Sequence, residues 1–163
     1  MFNIPNSSAI PEWKNKTISM ILSQNEIIEL FEKTEEDVEN IVYSNIFPFG
    51  YIPQTQTETE LYITIEVSIP KMLFRQVWEY PHMTIKLICH QDKMQLNKAG
   101  VSATRLDYLS TLIDKLLNGT DGWAYGKLSL VSNTEYNLSP VYKVREMIFQ
   151  GQDLNEDRCG NTK

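Results

Sequence analysis

The run Cys89-His90-Gln91-Asp92 sets a thiol, an imidazole and a carboxylate within four positions. These are the groups from which a thiolate nucleophile and its base are assembled. Successive residues of a strand point to opposite faces, however, so Cys89 and His90 do not share a proton if this segment is extended. Cys89 continues an apolar face and is expected to be a buried, inert thiol. His82 and His90 are the two histidines of the chain. Eight residues apart on one strand, they are separated by roughly 26 Å and do not ligate one ion. Cys159 has no partner at metal-ligand spacing. The carboxylates Glu35, Glu36, Asp37 and Glu39 gather at a helix start, where the macrodipole favours negative charge without any catalytic role. Gly119, Gly122 and Gly126 lie between a helix end and a strand, the reverse of the order a phosphate cradle requires. Trp123 and Tyr125 beside them read as packing residues, since no basic groove accompanies them. The expectation is a protein with no catalytic, cofactor-binding or metal-binding residues, and not an enzyme.

The elements that carry these residues are legible. Residues 60–69 (ELYITIEVSI) alternate apolar and polar through ten positions, the pattern of an antiparallel strand with one face on a core. A second strand is predicted at 83–89, where Met83, Ile85, Leu87 and Cys89 alternate with Thr84, Lys86 and Ile88. Leu106, Leu109, Leu112, Ile113, Leu116 and Leu117 form one stripe and predict an amphipathic helix over 102–117. Ser102 or Thr104 caps its start and Asn118-Gly119 ends it. Strands are expected near 127–131 and 142–150. Residues 12–31 read as two short helices or one bent one, with a polar break at 23–25. Thr34 with Asp37 resembles a capping box that opens a further helix. Residues 47–53 (FPFGYIP) are expected to lack regular structure and to press aromatic side chains on the core. The predicted fold class is α+β: one antiparallel sheet of about four strands, with N-terminal helices and the 102–117 helix packed on one face. Residues 1–11 are expected to form an extended arm, 12–155 a single domain and 156–163 a flexible tail.

The chain has 163 residues, 15 basic and 21 acidic, for a net charge of −6. No basic run is present, which disfavours DNA coating by counterion release but not passage of DNA past an acidic wall. No stretch approaches the ~20 apolar residues of a membrane span. Two cysteines, one on a strand and one in a polar tail, fit a reducing compartment.

The connection at 71–81 (KMLFRQVWEYP) carries too many apolar side chains for a solvated hairpin loop. Met72, Leu73, Phe74, Val77, Trp78 and Tyr80 either fold back on their own core or form a surface that a neighbouring subunit covers. They are the candidate interface.

In this order, the N-terminal helices, FPFGYIP leading into TETELYITIEVSI, MTIKLICHQD, RLDYLSTLIDKLLNG, GKLSLVSN and YKVREMIFQGQDL resemble the tail-terminator and tail-completion proteins of tailed bacteriophages, one branch of the head–tail neck proteins. The resemblance spans residues 12–155, and the long 71–81 segment departs from a tight hairpin. It implies a structural virion subunit made in the bacterial host cytoplasm. Six or twelve copies would form a ring around the DNA channel between portal and tail. The partners implied are copies of itself, neighbouring portal or adaptor and tail proteins, and double-stranded DNA passing without sequence recognition. A portal-side head-completion or adaptor ring is the alternative assembly reading, and a small enzyme of unrecognised type the alternative outside assembly.

Overall fold

The computed structural model describes residues 6–54, 58–70, 77–123 and 126–154. A 3-10 turn, Asn6–Ser8, leads into helix α1, Ala9–Leu22. Residues 6–11, expected within an extended arm, are therefore helical turn. Pro11 is compatible with that start because the first-turn N–H groups have no intrahelical acceptor. At Ser23 and Gln24 the helix stops, Gln24 turning extended before α2, Asn25–Glu29. The polar break thus makes two helices. Helix α3, Glu35–Glu39, opens on Thr34, whose hydroxyl oxygen accepts the Asp37 N–H.

Strand β1, Ile46–Phe47, lies parallel to Ile63–Thr64 of β2, Leu61–Ser68. This corrects the expectation that residues from Phe47 onward carry no regular structure: one pair forms just ahead of Pro48, whose ring lacks the donor a longer strand needs. β3, Trp78–Glu79, pairs antiparallel with β7, Asp153–Leu154, in a small second sheet. β4 is His82–His90, β5 Ser129–Asn137 and β6 Tyr142–Gln150. The main sheet has five strands in the order β1-β2-β4-β6-β5, all antiparallel except β1 with β2. β5 runs six residues past the predicted end at 131. Its second half, SNTEYN, is wet on both faces and so leaves no apolar alternation in the sequence.

One face of the sheet is dry. Leu61, Ile63 and Ile65 of β2, Met83, Ile85, Leu87 and Cys89 of β4, and Met147 and Phe149 of β6 are buried there. Helix α4, Arg105–Leu117, packs on β4 and β6, and α1 on β2. Leu106, Leu109, Ile113 and Leu117 of α4 meet Trp13, Ile18 and Ile21 of α1 in the same core. The α4 start falls at Arg105 because Thr104 accepts the Asp107 N–H at 3.1 Å and donates to its carboxylate at 2.8 Å. Gly119, at φ +78°, ends the helix in the left-handed region. Thr104→Ala is expected to cost about 1 kcal/mol, the usual value of such a cap, as a lowered urea midpoint with unchanged slope.

Candidate assembly interface

Among the residues with chemical potential, Cys89 lies wholly buried under the helices while its neighbour His90 points to the opposite face. Burial pushes the thiol up to about 12, far from a reactive thiolate. Its S–H donates to the His90 carbonyl. The His90 ring is also buried, stands edge-on to Tyr142 with centroids 5.2 Å apart, and accepts the Asp92 N–H through Nδ1. His90 is thus a cap for the turn Gln91–Lys93. His82 sits at the other end of the same strand. Among the described residues, no three His, Cys, Asp or Glu side chains gather as a metal site would require. Trp123 is buried in the core, and Tyr125 lies outside the described residues.

Of the candidate interface, Met72, Leu73 and Phe74 fall outside the described residues. Val77, Trp78 and Tyr80 are present and exposed, at 50%, 37% and 44%. The strand pair β3–β7 holds Trp78 in place beside the main sheet. Tyr80 joins Val131, Ser129 and Gln150 around a cleft of about 310 Å³. Val131 is 53% exposed and is the extra residue at a register shift between Leu130 and Ser132. A bulge of this kind re-aims a side chain on an edge strand. The outer edge of β5 has no partner strand among those described. The start of this edge strand, at Ser129 and Val131, therefore lies beside Tyr80.

The face opposite the helices has its own small cluster. Phe47, Tyr62, Ile88, Tyr142 and Val144 are buried, with Tyr51 stacked on Phe47 at 4.1 Å between centroids. The expectation that FPFGYIP presses aromatics on a core holds for Phe47 and Tyr51, on this second core, but not for Phe49, which is exposed. Tyr142 donates its hydroxyl hydrogen to the Glu58 carbonyl, pinning the approach to β2. Beyond the cluster the face opens into a cleft of about 240 Å³ lined by Gly50, Ile52, Glu66, Lys86, Tyr136 and Leu138, among others. Lys86 stands between two carboxylates, 3.4 Å from Glu66 and 3.8 Å from Glu146. Burial, then the nearby Glu146 charge, raises the Tyr136 hydroxyl above its ordinary value. Glu66, Lys86 and Glu146 come from three strands, and only the pairing register brings them together. Sequence reasoning missed this trio, though their shared polar parity on each strand was the available signal.

The chain is an α+β protein with helices on one sheet face and, among the described residues, an edge strand, β5, without a partner. A family model for YomW matches residues 15–150. The chain belongs to the YomW family, a phage-like, prophage-derived family. No curated protein matches it. No helix among the described residues is long and apolar enough to cross a membrane.

Proposed function

We propose that this protein is a structural virion subunit of the phage head–tail neck, of tail-terminator or tail-completion type, forming a closed ring around the DNA channel. The observation that carries the reading is the edge of β5, without a partner strand among the described residues, whose exposed Val131 shares a cleft with Tyr80, while Val77 and Trp78 are also exposed. A bare edge strand invites pairing, and a closed ring makes such pairing finite. Strand directions support a head-to-tail contact: β1 and β2 run one way and β5 the other. Copies placed side by side in one orientation then meet antiparallel. Membership in a phage-like family and a net charge of −6 agree with a channel through which DNA slides without adhering. No sequence recognition of DNA is involved, and the subunit makes and breaks no bonds.

The test is Trp78→Asp. Trp78 is more than a third exposed, so the subunit is expected to keep its fold by circular dichroism while losing ring assembly and incorporation into particles. Assembly at the wild-type level overturns the interface assignment. Electron microscopy of particles bearing the chain is expected to show a closed ring between portal and tail.

A further inference from the structure

Resting on the ring reading, we infer that exposed Tyr43 and Phe49, at the β1 edge of the main sheet, form the surface that receives the β5 edge of the next copy of this chain. A head-to-tail ring needs two different surfaces on each subunit, one giving and one receiving. β5 is one outer strand of the main sheet and β1 is the other. Four strand spacings separate them, roughly 19 Å, so side chains at the two edges do not make a single patch. Tyr43 is 67% exposed and Phe49 44%. Their ring centroids lie 6.3 Å apart, and Phe49 lies 5.4 Å from the buried ring of Phe47. The pair thus carries the aromatic cluster of the second face out to the sheet margin, where a lone subunit leaves it in solvent.

Tyr43 is also costly to place. Its φ of +67° is a region that a bulky side chain rarely enters and that asparagine or glycine enters readily. The turn is enforced by its hydrogen bonds. The Tyr43 N–H donates to the Ile46 carbonyl at 2.9 Å, and the Asn45 side chain donates to the Leu61 carbonyl at 2.9 Å. The Asn45 carbonyl accepts the Ile63 N–H at 2.8 Å. Beyond β1, Lys14 of α1 donates to the Pro48 carbonyl at 2.7 Å. An aromatic ring held in a strained conformation and two-thirds in water lends little burial to its own subunit. Such a ring suits an anchor for a partner, because little freedom is lost when it binds. The β5 edge offers the counterpart. Val131, exposed on its bulge, and Tyr80 line the cleft of about 310 Å³, which has room for an aromatic side chain. Lys127 lines the same cleft. Glu36, Asp37 and Glu39 are exposed on α3, which ends four residues before Tyr43. Opposite charges therefore accompany the apolar groups on the two edges and orient one copy toward the next.

The experiment uses two full-length variants, Tyr43→Asn and Val131→Asp, each spoiling one side of the contact. By analytical ultracentrifugation each alone is expected to self-associate about tenfold more weakly than wild type, the scale of losing an interface anchor. Mixed in equal amounts, they are expected to form a dimer of one each that grows no further. In it the intact β5 edge of the first meets the intact β1 edge of the second, and the two edges left over are both spoiled. Tyr43→Asn is expected to melt no lower than wild type, because asparagine tolerates the left-handed region, so its weaker association is not a folding defect. Phe49→Gln is expected to weaken association in the same direction, with a wild-type circular dichroism spectrum. Tyr43→Asn assembling like wild type overturns the β1 edge as a contact. Weakened variants that form no dimer on mixing overturn the meeting of these two edges. A wild-type chain that stays monomeric, or stops at a dimer, sinks the ring reading itself, a result distinct from either of these.

Discussion

Arg105→Leu is expected to lower stability by about 3–5 kcal/mol, the scale of leaving two or three buried carbonyls without a donor. For a chain of this size that is a fall in Tm of roughly 6–20 °C. Arg105 is 4% exposed although it is the first residue of α4. Its guanidinium donates to three carbonyls, of Lys93 at 2.7 Å, Leu30 at 2.7 Å and Gln95 at 3.5 Å, and to the Glu32 carboxylate at 2.6 Å. One side chain therefore joins the end of α2, the connection after β4 and the start of α4. Leucine fills part of the volume but leaves the carbonyls without donors, and each orphaned group costs on the order of 1–3 kcal/mol. Glu32 adds to the effect, because its φ of +54° is a conformation that a non-glycine residue holds only when its surroundings enforce it.

The same pair sets a dependence on acidity. Burial acts to raise the Glu32 carboxyl, but the hydrogen bond and charge of Arg105, with Lys93, outweigh it and hold the group below its ordinary value of 4.5. A lowered folded-state value means stability that is present above the unfolded value and disappears as pH falls through the folded one. Wild type is thus expected to lose stability below about pH 4.5 partly through Glu32. Arg105→Leu flattens that part of the acid limb. Glu32 is half exposed, so the contribution is modest beside the orphaned carbonyls. Urea denaturation of both proteins between pH 3 and 7 checks the size and the slope together. An unchanged midpoint would mean that Arg105 does not hold the three segments together.

Phe149→Ala is expected to cost about 3–5 kcal/mol, whereas Ile148→Ala, one position away, costs less than about 1.5. Phe149 is fully buried on the helix side of β6, opposite Met83 across the strand pair. Ile148 faces the other side and is only half buried. Deleting the ring leaves a cavity between α4 and the sheet that the close-packed core does not close. Deleting the Ile148 side chain leaves space that water already reaches. Paired denaturation curves measure the contrast. Equal losses at the two positions would mean that the second face is as dry as the first.

The unequal faces also show how far the sequence alone reached. Leu61, Ile63 and Ile65 against Tyr62, Thr64 and Glu66 gave the strand and the helix-covered face directly, because a period of two has one structural reading, but not that Tyr62 and Thr64 on the other face are buried as well. The leucine stripe of α4 was equally legible, since burial on one side repeats every three to four residues. Thr34 fixed a helix start through a local hydrogen bond that needs no tertiary partner, whereas for α4 Ser102 and Thr104 were both open and the structure selects Thr104. The second half of β5 was not legible, because an edge strand wet on both faces writes no pattern into its residues. Nor was β1, two residues long and held by a partner seventeen positions away.

The candidate interface divides along the same line. That Val77, Trp78 and Tyr80 were too apolar for a solvated loop was a matter of composition. That Tyr80 lies beside the Val131 bulge at the start of β5, and that Trp78 pairs with Leu154, arose from contacts between segments at least fifty residues apart. Glu66, Lys86 and Glu146 are three unremarkable charges along the chain, and the antiparallel register of β2, β4 and β6 makes them one group. Residue types and spacing therefore determined the long strands β2, β4 and β6, the main helix and the α+β class. Long-range strand pairing, which no local window contains, decided which strands lie at the sheet edges among the described residues and which charges share a cleft.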